Sequence, residues 1–189
     1  MKLYTKSGDD GTTGLLFGGR ASKAGPRTDA YGAIDTAISA MGMARALSSD
    51  ERAKDILLRC QHDMFTAATE VAVDPAHYDL LIENFSPVTE GMVERLEGWI
   101  DDLTDEVDLP PRFIVPGASA ASGAIDLART LTRDAERRIV ALAELEPPQN
   151  ENVLHYVNRL SDLLFILARY EDRDLPFEIT TGEMRREGD

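Results

Sequence analysis

From Asp29 onward the chain repeats apolar side chains every three or four residues, and that period points to packed helices. Ala30, Ala33, Ile34, Ala37, Ile38, Met41, Ala44 and Leu47 make the first stripe. Ser48-Ser49-Asp50 interrupts it and can cap a second helix that carries Ile56, Leu57, Cys60, Met64, Phe65 and Ala68 and closes at Asp74-Pro75. A third helix is expected from Ser86-Pro87, with proline at its first position, through Met92, Val93, Leu96, Trp99 and Ile100. Phe113-Ile114-Val115 reads as a short extended run ending at Pro116-Gly117. A fourth helix opens at Ser119 or Ser122, reaches Leu145 and stops at Pro147-Pro148, and a fifth covers Glu151 to Tyr170. The chain of 189 residues, 43% of them apolar, can bury one sizeable core. The expected fold is all-α: a five-helix bundle forming one domain over 1–189, with a Gly-rich segment at 1–26, the bundle at 27–172 and a frayed charged tail at 173–189.

Charge and composition remove several classes of function. Asp and Glu number 34 against 20 Lys and Arg, a net charge of −14, and such a surface repels nucleic acid. One cysteine, Cys60, excludes an internal disulfide framework and a multi-cysteine zinc site. A di-iron bundle needs two Glu-x-x-His pairs, but His62, His77 and His155 follow Arg59, Asp74 and Asn152 at that spacing. No metal ligand set is expected. The polar opening MKLYTKSGDDGTTG does not read as a signal peptide, and no apolar run approaches the roughly 18 residues of a membrane span. A soluble cytoplasmic protein is expected.

Two polar ribbons and one loop carry candidate chemistry. On the fourth helix Arg129, Arg133, Glu136 and Arg137 fall within about 100° of arc, opposite a face of Ala124, Leu127, Ala128, Leu131, Ala135, Ile139 and Leu142. Three guanidiniums around one carboxylate suit a triphosphate or carboxylate, while a solvated face with helical ion pairs has the same pattern. On the fifth helix Asn158, Asp162, Phe165 and Arg169 share a face that also reads as a surface stripe. The segment YTKSGDDGTTGLLFGGRASK sets Gly8, Gly11, Gly14, Gly18 and Gly19 among Thr5, Ser7, Thr12 and Thr13, with Lys6, Arg20 and Lys23 nearby. Glycines admit an anion close to backbone N–H groups, hydroxyls add donors and lysine adds charge. It is not a P-loop, because no GKS or GKT follows a strand.

Taken together these pieces resemble the PduO-type ATP:cob(I)alamin adenosyltransferases over nearly the whole chain. YTKSGDDGTTGLL is similar to the family's nucleotide loop Y-T-[KR]-[TS]-G-D-x-G, followed by Lys23. RTDAYGAIDTAIS resembles R-x-x-A-x-G-x-x-D-E-L-N-S, and FIVPGASAASGAIDLARTLTRDAERRIVAL with YVNRLSDLLFILARY resembles the two closing motifs. The resemblance implies a ferritin-like bundle that assembles as a homotrimer and binds ATP and corrinoid between subunits. It implies transfer of the 5′-deoxyadenosyl group to the cobalt of cob(I)alamin, with Mg²⁺ on the phosphates. Thr5, Lys6, Ser7, Gly8, Thr13, Gly14 and Lys23 would hold ATP, together with Arg133, Glu136, Arg137 and Asn158. Asp35 and Arg129 match a salt bridge between subunits beside the site, and Phe113 matches an aromatic that helps displace the lower cobalt ligand. Asp35, Arg129 and Arg133 are thus the catalytic candidates. A corrinoid reductase and an adenosylcobalamin-dependent enzyme are the implied partners.

The chain also departs from the family pattern. D-E-L-N becomes Asp35-Thr36-Ala37-Ile38, L-H becomes Ile125-Asp126, and R-R becomes Arg133-Asp134. A divergent paralogue that binds ATP or a cobalamin as carrier or sensor is the alternative to the enzyme.

Overall fold

The fold is described from a computed structural model, which covers residue 4 and residues 6–180. A small antiparallel hairpin comes first, β1 (Thr12–Gly14) pairing with β2 (Arg20–Ser22) in the register Thr13 to Ala21. Six helices follow: α1 (Pro26–Leu47), α2 (Glu51–Val71), α3 (Tyr78–Asn84), α4 (Glu90–Asp105), α5 (Ala120–Ala143) and α6 (Asn152–Glu171). The five long helices are the five expected ones. Helix α3, preceded by a 3₁₀ turn at Pro75–His77, is additional.

Helix α5 packs between α1 and α6, and α2 and α4 complete the bundle against α1 and α6. The facing surfaces of α1 and α5 are rich in alanine, with Ala30, Ala33, Ala37 and Ala44 on one and Ala124, Ala128 and Ala135 on the other. Small side chains allow close approach, and Ile34, Met41, Leu57, Met64, Leu160 and Leu164 fill the remaining interior. Each such large side chain contributes about 1.5–3 kcal/mol by leaving water. Caps set two of the starts. Asp50 Oδ1 accepts the Ala53 N–H at 3.0 Å, and Ser119 and Ser122 bond reciprocally at 3.1 and 3.2 Å.

The structure corrects four expectations. Helix α4 starts at Glu90 instead of Ser86-Pro87, because Val88 is tied down as extended backbone. Its N–H goes to the buried Glu70 and its carbonyl accepts Asn150 Nδ2 at 2.9 Å. Within the described part of the expected tail, residues 173–180 return to the extended run, with Val115 N–H on the Glu178 carbonyl at 2.7 Å and Thr180 N–H on that of Phe113 at 3.0 Å, while 181–189 lie outside the described residues. Leu127, assigned to the buried face of α5, is 49% exposed, at the edge of an apolar arc whose centre already fills the contact with α1 and α6. Arg169, assigned to a surface stripe, is only 2% exposed, since α6 is enclosed on most of its circumference.

A polar knot joins α2, α4 and α6. The buried Asp63 carboxylate accepts Arg95 Nη2 at 2.5 Å and the Tyr156 hydroxyl at 3.1 Å. Cys60 lies one turn away and is fully buried. Burial first, and the Asp63 charge second, push its thiol up to about 12. Native protein at pH 8 should therefore leave Cys60 unreacted with a thiol-exchange reagent over hours, while guanidinium-unfolded protein should react stoichiometrically within minutes. Rapid reaction without denaturant would contradict this packing.

Candidate active site

The Gly-rich segment folds back on itself through charged side chains. Lys23 Nζ donates to the Gly8 carbonyl at 2.6 Å, and a Cβ at Gly8 would sit 3.0 Å from both Lys23 Nζ and the Thr12 carbonyl oxygen. That approach accounts for glycine at this position. Arg20 Nε donates to Thr12 Oγ1 at 2.8 Å and its Nη2 to the Ser7 carbonyl at 2.6 Å. Asp10 completes the loop by accepting the Thr12 N–H at 3.0 Å and the Thr12 hydroxyl at 2.7 Å. These Thr12 bonds, with the Arg20 charge behind them, hold its carboxyl below the usual range. Lys6 sits in the left-handed region at φ 60°, a conformation that costs a residue with a side chain about 1–2 kcal/mol. Thr28, buried at the start of α1, donates to the Ser22 carbonyl at 2.7 Å and so fastens the loop to the bundle.

Of the ATP-loop candidates, Lys6, Ser7, Gly8, Thr13, Gly14 and Lys23 are thus in one folded unit, and Thr5 lies outside the described residues. Arg20 and Asp10 are its organisers. Their sequence signal was only a charge within a Gly-Thr tract, with nothing to show which partners they would take.

The second half of the candidate site is on α5 and α6. Arg133 is exposed and has no hydrogen bond or ion pair among the described residues. Asn158 Nδ2 donates to Glu136 Oε1 at 2.7 Å across the two helices. Both line a groove of about 660 Å³ between α4, α5 and α6, whose far wall is the acidic face of Glu90, Glu94 and Glu97. Arg137 Nη2 donates to Asp134 at 3.0 Å, and Asp134 also accepts Arg138 Nε at 2.8 Å. The Arg138 bond first, and the Arg137 bond with it, keep Asp134 below the usual carboxylate range. Its ion pairs therefore persist at neutral and mildly acidic pH and are lost only as pH falls through the lowered value.

The remaining candidates stay apart within one chain. Asp35 is exposed on α1 without an ion pair among the described residues, and Arg129 bonds to Asp126 instead, at 2.9 Å. Phe113 is 78% exposed. No hydrogen bond or ion pair joins Lys6, Gly8, Thr13, Gly14 or Lys23 to Arg133, Glu136, Arg137 or Asn158. An apolar cavity of about 80 Å³ at the end of the bundle, lined by Ile139, Leu142, Val153 and Leu154, contains none of these residues. Among the described residues no cluster of three or more His, Cys, Asp or Glu could hold a metal ion. No described helix is long and apolar enough to cross a membrane.

The helical bundle thus presents a folded glycine-threonine loop at its start and an arginine-rich ribbon on α5. Residues 3–171 match the family model for cobalamin adenosyltransferase. The chain belongs to the cobalamin adenosyltransferase family. It is 43% identical over 173 residues to the corrinoid adenosyltransferase of Bacillus subtilis, covering 89% of this chain and 86% of that one. The corresponding figures for the corrinoid adenosyltransferase of Mycobacterium tuberculosis H37Rv are 38% over 180 residues, 92% and 90%. A variant PduO-type ATP:corrinoid adenosyltransferase from Lactobacillus reuteri, solved with cobalamin and ATP, superposes with a TM-score of 0.86 at 33% identity, over 95% of this chain and 97% of that one.

Asp134 places an anion beside Arg137 where the family pattern has a second arginine. Asp134→Asn should lower the KM for ATP about 1.4- to fivefold, the range for releasing an exposed ion pair of roughly 0.2–1 kcal/mol, with kcat unchanged. Steady-state kinetics at low ionic strength measures this, and a raised KM would show that Asp134 orients Arg137 usefully.

Proposed function

We propose that this protein transfers the 5′-deoxyadenosyl group of ATP to the cobalt of cob(I)alamin or a related corrinoid, giving adenosylcobalamin and triphosphate. The observation that carries the reading is Arg133: an exposed guanidinium without a partner among the described residues, on the same ribbon as the Glu136–Asn158 pair. Co(I) is a strong nucleophile, so its electron pair attacks C5′ while the C5′–O bond breaks. The protein has to orient C5′ and stabilise charge on the departing triphosphate. Arg133 and Arg137 supply that charge from the helices, and Lys6, Lys23 and the backbone N–H groups of the glycine loop supply it from the leader. Mg²⁺ would travel with the nucleotide, since such cations are commonly held by phosphates with few protein ligands.

The division of the candidates supports a homotrimer with sites shared between subunits. Asp35 and Arg129, unpaired with each other in one chain, would meet across that boundary, and the exposed Phe113 would cover the corrinoid and exclude water from Co(I). On this reading the protein acts in the cytoplasm, where a corrinoid reductase supplies Co(I) and an adenosylcobalamin-dependent enzyme takes the product. A second reading, a nucleotide or cobalamin carrier with poor turnover, is favoured by Asp134 alone, since its carboxylate occupies Arg137.

Mixing the protein with chemically reduced cobalamin and MgATP separates the two readings: the absorbance of cob(I)alamin should decay to that of adenosylcobalamin at a rate proportional to protein, whereas a carrier leaves the rate at that of the blank. Arg133→Ala should reduce kcat by about 10²–10³, the range for losing one preorganised donor, with an unchanged melting temperature because both residues favour helix. Saturating MgATP should also protect the leader between Lys6 and Gly14 from proteolysis. Equal cleavage with and without nucleotide would remove the leader from the site.

A further inference from the structure

We propose that Asp126 is a positioning residue for the transfer reaction, holding Arg129 through a buried ion triad with Arg169. The inference rests on the reading of Arg129 as part of the transfer site. Asp126 is 4% exposed on α5 and Arg169 is 2% exposed on α6. Arg169 Nη2 donates to Asp126 Oδ2, and Arg129 Nε donates to the other oxygen at 2.9 Å.

The geometry fixes who holds whom. Arg169 has no other ion pair among the described residues, its Nε is buried without a partner, and its guanidinium lies 5.5 Å from the centre of the Phe165 ring. Turning Asp126 away would strand a buried cation, so the carboxylate is locked in place. Its second oxygen is then a stationary acceptor for Arg129, whose side chain is 25% exposed. A guanidinium anchored through Nε loses most of the rotamer freedom of a long exposed side chain, and its two Nη groups have no other partner among the described residues. Arg129 is thereby presented in one orientation before anything binds, which preorganises its contact with Asp35 beside the transfer site. Asp126 stands where the family pattern has histidine, one of the chain's departures from it.

The competing explanation is that Asp126 only neutralises Arg169 and matters to folding alone. Asp126→Leu combined with Arg169→Met removes anion and cation together and replaces them by apolar groups of similar size, a change that buried ion pairs often tolerate. Compared with the unmodified protein, the double variant should keep its melting temperature and its KM for ATP while kcat falls about 10²-fold, the scale of loss for an ångström of misplacement. Adding Arg129→Ala to the double variant should lower kcat no further, because Asp126 acts through Arg129. Full kcat in the double variant, a further independent loss on adding Arg129→Ala, or an Arg129→Ala variant with normal kcat would each overturn the proposal. A readout without turnover accompanies these: the Arg129 Nε–H resonance in ¹⁵N-labelled protein should be protected from solvent exchange in the unmodified chain and unprotected in the double variant. Equal protection in both would also overturn it. An unmodified protein that fails to adenosylate cobalamin would refute the adenosyltransferase reading instead, and the resonance would still decide whether Asp126 holds Arg129.

Discussion

The close, alanine-lined contact of α5 with α1 is the constraint on which the site depends. Ala124, Ala128 and Ala135 commit one side of α5 to α1 and α6, and the helical period then turns the arginines away from the core. A bulkier inner face would separate the helices and the α5–α6 contact with them, and Glu136 would no longer reach Asn158 at 2.7 Å. The same packing sets the depth of each charge. Arg133 and Arg137 stand at the surface, Arg129 is half-sunk, and Arg169 on α6 is enclosed.

That gradient of burial divides the labour among chemically identical side chains. A buried guanidinium must be matched by an anion or the fold pays heavily, so Arg169 and Asp126 form a fixed pair. An exposed guanidinium is free to meet a ligand, as Arg133 is. Arg137 lies between these extremes, because the low-pKa carboxylate of Asp134 engages it at neutral pH. The leader follows the same logic with glycine in place of burial. Gly8 lets Lys23 reach its carbonyl, and the left-handed backbone at Lys6 is strain that binding of an anion can repay.

The five long helices were legible because each runs for more than four turns, 16 to 24 residues, and Ser119 and Asp50 mark two of the starts with caps that the structure contains. What escaped were features decided at long range. Val88 lies outside α4 because Glu70 and Asn150, far away in sequence, take its backbone groups. The pairing of Ile114 with Ile179 has no local signal at all. Arg169 looked like a surface residue since period alone assigns a polar side chain to the polar face, and only the neighbours of α6 show that this face is covered. In the candidate site, the loop and the α5 ribbon rest on residue type and motif, whereas Asp10, Arg20 and Asp126 acquire meaning only from the partners that folding brings to them.

On the proposed reading of sites shared between subunits, a working site takes its loop from one subunit and its arginine ribbon from another. Two variants test it directly, Lys6→Ala, which disables the loop, and Arg133→Ala, which disables the ribbon, each nearly inactive alone. Unfolded together in equal amounts, refolded and assayed with reduced cobalamin and MgATP, they should recover activity approaching about a quarter of that of the unmodified protein, because random assembly makes about one shared site in four from two intact halves. Sites contained within single chains would give no recovery at any mixing ratio, and that result would contradict the account.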